Sequence, residues 1–138
     1  MLLNKERLQK EADRLNSQNM ELLTSLQEHF GEDIPIYMDA VSEDEIPNDN
    51  MTYVVIETGN YDMTNPQSKS TVDTVNVYFF SEGRNNPTYD QLAIVASGIG
   101  ARLHFQNANK ETIVLDETNR LVGVFVASFT RQVLKGCV

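Results

Sequence analysis

The first periodic signal in the chain runs from Asn4 to Phe30, where Leu8, Ala12, Leu15, Leu22 and Leu26 recur at intervals of three, four and seven. That spacing lines them along one side of a helix, with Asn19 breaking the stripe. Asn4 suits the cap at its start and Gly31 the stop at its end, although Asn16-Ser17 could divide the segment into an arm and a second helix. Lys5, Arg7, Lys10 and Arg14, interleaved with Glu6, Glu11 and Asp13, give the first turns the composition of a solvated surface. Residues 1–15 could therefore form a helical arm on a single domain.

The period then shifts from helix to strand. Ile34 to Met38 reads as a short strand, and Pro35, which has no N–H to give a neighbour, confines it to a sheet edge. An acidic loop, Ser42 to Asn50, follows. Met51 to Thr58 is rich in β-branched and aromatic residues, and Thr71 to Phe80 alternates Val75, Val77 and Phe79 with Thr74, Asn76 and Tyr78, so both are strands. Between them Gly59 to Ser70, with Asn60, Asn65, Pro66, Ser68 and Ser70, is expected to make a long excursion beyond the sheet.

A second helix should start at Pro87 or Thr88, since Thr88 and Gln91 have capping-box spacing. It is expected to bury Leu92, Val95, Ala96, Ile99 and Leu103 and to end near Phe105. Its small residues Ala93, Ala96, Ser97, Gly98, Gly100 and Ala101 cost helix propensity but let the backbone lie close to a sheet. Thr112 to Leu115, a turn at Asp116 to Asn119, and Leu121 to Val133 complete a terminal hairpin. Helices and strands segregated in blocks predict an α+β fold, with two helices packed on one face of a mainly antiparallel sheet of about four to five strands.

Length and composition narrow the classes. A chain of 138 residues, 41% of them apolar, has the size of one domain, residues 1–138. Its longest nearly uninterrupted apolar run, Leu121 to Phe129, contains Gly123 and Ser128 and falls far short of the roughly 20 residues that cross a bilayer. No membrane association is expected. Met1-Leu2-Leu3 turns charged at Lys5, which is not the order of a secretion signal, so an intracellular start is expected. A single cysteine, Cys137, leaves no internal disulfide and no zinc site built on several cysteines.

Charge changes the picture more. Twenty acidic residues against eleven basic ones give −9, and from Leu15 to Ser68 there is no Lys or Arg while eleven carboxylates fall there. Phosphate binding needs Lys and Arg to displace counterions, so sequence-specific DNA binding is disfavoured. The bland reading is a solvated acidic face that keeps the chain soluble. A negative wall past which DNA slides without sticking is the special case.

Candidate chemistry is sparse. Ser97 lacks the preceding glycine of a nucleophile elbow and sits within a helix. Gly98-Ile99-Gly100 lies inside that helix rather than at an N-terminus where phosphates bind, and Leu103 stands where a dinucleotide fingerprint has glycine. His29 and His104 have no partner at metal-ligand spacing and read as surface or helix-end residues. Glu43, Asp44, Glu45 and Asp49 lack the glycine and alternating ligands of a calcium loop. Asn50-Met51-Thr52 is a glycosylation sequon only in a secreted chain, and Cys137 has no activating partner nearby in sequence. The expectation is a protein that is not an enzyme, with no cofactor and no metal.

The order of elements carries a resemblance. A helix, then Ile34-Pro35-Ile36-Tyr37, Met51-Thr52-Tyr53-Val54-Val55-Ile56, Val75-Asn76-Val77-Tyr78-Phe79-Phe80, a helix from Tyr89 to Leu103 and a last strand Leu121 to Arg131 resembles the tail-completion, tail-terminator and head-tail joining proteins of long-tailed bacteriophages. Thr52 departs from the proline that often precedes the tyrosine, and the charged segment Asn4 to Arg14 is a second departure. The resemblance implies a structural virion protein of the tail, assembled in the host cytoplasm as a homo-oligomeric ring of about six. Such a ring stops tube growth and joins the tail tube to head-connector proteins, while DNA passes through without specific binding. On that reading Tyr61, Met63 and Ile36 are candidate subunit-interface residues, and Glu43, Asp44 and Glu45 candidate lumen-facing acids. The alternative is a small-molecule-binding or regulatory α+β domain, dimeric in one version, with a pocket between helix and sheet.

Overall fold

A computed structural model describes residues 5–46, 49–61, 70–115 and 119–134. The elements are α1 (Lys5–Phe30), β1 (Ile36–Met38), β2 (Tyr53–Tyr61), β3 (Ser70–Ser81), α2 (Pro87–Gly100), β4 (His104–Val114) and β5 (Leu121–Leu134). They form an α+β fold: one five-stranded sheet in the order β1-β2-β3-β5-β4, with both helices over one face. Only β1 runs parallel to its neighbour, pairing Ile36 with Val54. It lies at the edge that Pro35 predicts, and β4 forms the other edge.

The alternation in β3 and β5 decides which face the helices cover. Val75, Val77 and Phe79 pair with Phe129, Ala127 and Phe125 and meet Leu22, Leu26 and Phe30 of α1 and Ile94 of α2 in one core. The opposite face carries Tyr53 stacked on Phe80 at 4.5 Å and, further along, a polar network in which Glu57 accepts from Asn76 and Ser128 donates to Asn76.

Helix α1 is continuous through Asn16-Ser17. It ends where Gly31, at φ +74, donates its N–H to the Gln27 carbonyl at 2.9 Å, a conformation that glycine adopts without steric cost. Leu22 and Leu26 are buried as their spacing predicts, whereas Ala12 is exposed. The break at Asn19 has a structural cause. Arg131, buried on β5, pairs with buried Asp73 on β3 at 2.9 Å and reaches across to α1, donating to the Leu15 carbonyl and to Asn19 Oδ1. Nearer the start of α1, most charged residues are solvated, but Glu11 is buried: it accepts from Arg14 and from the Leu134 N–H, while Arg14 donates to the Gln132 carbonyl.

Helix α2 departs from its sequence reading in three respects. Asn86, not Thr88, caps it, accepting from the Tyr89 N–H, with Pro87 in the first turn. It stops at Gly100 rather than near Phe105, closed by Leu103 N–H to Gly98 O and Arg102 N–H to Ile99 O, both 3.0 Å, with Arg102 at φ +67. This is a Schellman closure with arginine where glycine is usual. Its phase is also rotated: Ile94 and Gly98 face inward, Leu92, Ala96 and Ile99 face solvent, Val95 is half-buried, and Leu103 is buried beyond the helix end. A Cβ on Gly98 would stand 2.2 Å from the Phe129 ring, so glycine there sets how closely helix and sheet approach.

The strands run longer than expected as well. β4 begins at His104, not Thr112, and pairs with β5 along its whole length, with a bulge between Phe105 and Asn107. β2 continues to Tyr61 and β3 starts at Ser70, so the ends of the expected excursion from Gly59 to Ser70 are strand, and its remaining residues, 62–69, lie outside the described residues.

Candidate functional site

A cleft of about 620 Å³ opens where the end of α1 meets the start of α2, walled by residues around Asn50 and by the loop from Glu82 to Asn86. Asp90, in the first turn of α2, is buried at its floor. One carboxylate oxygen contacts His29 Nε2 at 2.8 Å; Arg84 Nε donates to the other at 2.9 Å, and Arg84 Nη2 to the first at 3.2 Å. Burial pushes the Asp90 carboxyl up, but the hydrogen bonds from Arg84 and His29 outweigh it and hold the group below the ordinary aspartate value. The His29 ring packs edge-on against Phe30 and Tyr89, and the Arg84 guanidinium lies 5.8 Å from the Phe30 ring centre.

On the cleft wall, Glu82 accepts from Arg120 and from the Met51 N–H, which draws its carboxyl down to about 2. Thr52 Oγ1 donates to Asn50 Oδ1 at 2.5 Å and accepts from the Glu82 N–H. Chemically the arrangement is a clamp. The carboxylate that orients His29 is paired with a guanidinium, and the hydroxyl of Thr52 is turned onto Asn50. Asp90 joins the end of α1, the start of α2 and the loop between β3 and α2.

Sequence reading missed this cluster because His29 and Asp90 are 61 residues apart. The one usable signal was an acidic residue in the first turn of a helix, which the helix dipole favours in any case.

The residues singled out in the sequence are dispersed. Ile36 lies in the β1 edge strand with its side chain half-buried against the core, so that strand offers its outer backbone rather than this side chain. Tyr61 is exposed at the end of β2. Met63 lies outside the described residues, as does the side chain of Glu43. Asp44 and Glu45 are exposed in a short 3₁₀ turn beside β1, where the Glu45 carbonyl accepts from Tyr37 at 2.7 Å. His104 is exposed at the start of β4. Among the described residues no group of three or more His, Cys, Asp or Glu is placed to hold a metal ion, and no described helix is long and apolar enough to cross a membrane.

Two apolar surfaces do stand out. The outer side of α2 exposes Tyr89, Leu92 and Ile99, and the paired ends of β4 and β5 expose Val114 and Leu121, which face one another across the strand pair. No protein-family model matches the chain, and no curated protein matches it.

Proposed function

We propose that the protein is a structural subunit that assembles with copies of itself into a ring at the head-proximal end of a long phage tail, where it ends tube growth and meets the head connector. The observation that carries this reading is that, among the described residues, the sheet has two open edges, β1 on one side and β4 on the other. β4 is eleven residues long and exposed along nearly its whole length. Long open edges invite pairing with another chain, and monomers usually blunt or cover them. Contacts between two different surfaces of one subunit close into rings when the rotation between copies permits. The element order supports the same reading, as does the exposed acidic turn at Asp44 and Glu45, which in a ring lumen would repel passing DNA.

Native mass spectrometry of the purified chain, with negative-stain images of the same sample, tests the proposal. A closed ring of about six with an open centre is the expected result. A compact dimer at every concentration overturns it.

The cleft at Asp90 favours a second reading, a domain that binds a small molecule. A ligand that binds only the native state raises the melting temperature with its concentration. A metabolite panel giving such a shift, abolished by Tyr89→Ala at the cleft mouth, would move the assignment to that class.

A further inference from the structure

Another cavity, of about 310 Å³, lies past the end of α2, at the opposite end of that helix from Asp90. Arg14 and Gln18 of α1 line it, with Arg102, His104 at the start of β4, and Arg131 near the end of β5. It shares no lining residue with the Asp90 cleft. The chain carries a net charge of −9, yet three guanidiniums and an imidazole line this cavity, and among the described residues no carboxylate does.

Each arginine has an acidic partner outside the lining: Arg14 pairs with Glu11, Arg102 with Glu21 and Arg131 with Asp73. Donors remain free all the same. Arg131 is 4% exposed; its Nε donates to Asp73 and its Nη1 to Leu15 O and Asn19 Oδ1, while its Nη2 makes no hydrogen bond. The Arg102–Glu21 pair is solvated on both sides, and such a pair holds its arginine weakly.

Gln18 supplies the second observation. It lines the cavity and is also 4% exposed. Its Nε2 donates to the Ala101 carbonyl at 3.3 Å, which fixes the amide, since the reverse orientation would set two acceptors against each other. Its Oε1 is left with no partner, alone among the buried side-chain oxygens and nitrogens of the described residues. Buried polar groups are ordinarily satisfied, so a bare acceptor beside free guanidinium donors calls for an occupant.

We infer that this cavity binds inorganic hydrogen phosphate. The guanidiniums ask for an oxyanion, whose oxygens match their planar N–H donors. Gln18 Oε1 asks for a donor on the same ligand. Hydrogen phosphate carries both, charged oxygens for Arg131 Nη2 and Arg102 and one O–H for Gln18. Sulfate and simple carboxylates hold no proton at neutral pH and would leave Oε1 bare, and a phosphate monoester, with its second pKa at about 6, has shed most of its own. The inference goes beyond both readings of function and depends on neither.

Melting temperatures taken at mildly alkaline pH and constant ionic strength test it, with inorganic phosphate, sulfate or methyl phosphate as the probe. Phosphate and sulfate both favour compact states by exclusion from the surface, so the difference between them is the readout. Phosphate should raise the melting temperature with its concentration, as a ligand of the native state does, well beyond sulfate or methyl phosphate. Arg102→Gly removes an exposed guanidinium and suits the left-handed backbone there, so it should fold at least as well as wild type and lose most of the rise specific to phosphate. Gln18→Met removes the acceptor at similar length and should bring phosphate down to the level of sulfate; Arg102→Gly decides the case whether or not Gln18→Met folds. Equal rises with sulfate, a phosphate rise untouched by Arg102→Gly, or no rise at all overturns the inference, the last leaving water as the occupant. A rise with methyl phosphate as large as with phosphate overturns it as well and makes the ligand a monoester.

Discussion

The two helices lie side by side on one face of the sheet, yet their sequences disclose their packing very differently. In α1 the outside is polar apart from Met20, so the spacing of Leu22, Leu26 and Phe30 identifies the buried side and all three are in the core. In α2 two sets of positions satisfy the helical period, and the larger apolar set, Leu92 and Ile99, faces out. What fixes the phase is a pair of residues with no hydrophobic signal: Asp90, drawn inward by Arg84 and His29, and Gly98, whose missing side chain admits the Phe129 ring. Periodicity reads a helix's rotation only where one side is polar. Where both sides are apolar, spacing alone does not say which side is buried.

The helices are also anchored by opposite chemistry, and breaking the anchors separates them most strongly. Arg131 and Asp73 form a buried pair that holds the middle of α1 to the sheet. Asp73→Ala leaves a buried guanidinium uncompensated, and urea unfolding should lose about 3–5 kcal/mol. Replacing both partners with leucine should recover much of that, since an apolar pair of similar volume needs no desolvation. A loss below about 1 kcal/mol for the single substitution would place the anchor of α1 elsewhere.

For α2 the decisive test is a pair of glycines two positions apart. Gly98→Ala sets a methyl group against a fully buried ring and should destabilise by about 1–3 kcal/mol, despite alanine's better helix propensity. Gly100→Ala meets nothing within 4 Å and should be neutral or stabilising by up to about 1 kcal/mol. Melting curves of the two variants moving in the same direction would contradict the rotational phase of α2.

The same contrast explains what could be read from the sequence. The strands with one buried face, β3 and β5, alternate plainly, and Pro35 marks β1 as an edge. The sequence marks four residues of β4 rather than eleven because His104–Val114 is exposed on almost every side and shows no alternation. The end of α2 was misplaced because its left-handed closing residue is Arg102, where glycine is the usual mark; an L-residue adopts that conformation at a steric cost of about 1–2 kcal/mol. The clamp at Asp90 depends on residues distant in sequence and met only in the fold.

Acid should weaken the region at the start of α2, with an effect smaller than either substitution series. Glu82 and Asp90, both lining the cleft at the start of α2, are held below their ordinary values. A carboxylate depressed in the fold contributes stability that is complete above its unfolded value and is lost as pH falls toward its folded one. For Glu82 that window runs from 4.5 down to about 2. Unfolding free energy measured across it should fall with pH, and Glu82→Gln should flatten the fall. An unchanged slope in that variant would remove the Arg120 pairing from the account.

The smallest effect on the monomer tests the largest claim. Leu92→Ser and Ile99→Ser replace large apolar side chains, which in a core would each cost several kcal/mol. At these exposed positions the isolated chain should change by no more than about 0.5 kcal/mol. Self-association, followed by sedimentation, should weaken in both. The outer side of α2 serves assembly only if the two measurements separate: a side chain that matters to the fold shifts both, whereas one kept for a partner shifts association alone. Comparable losses of stability at Leu92 and Leu26 would return the outer side of α2 to the core and leave the chain with one buried helix face rather than two.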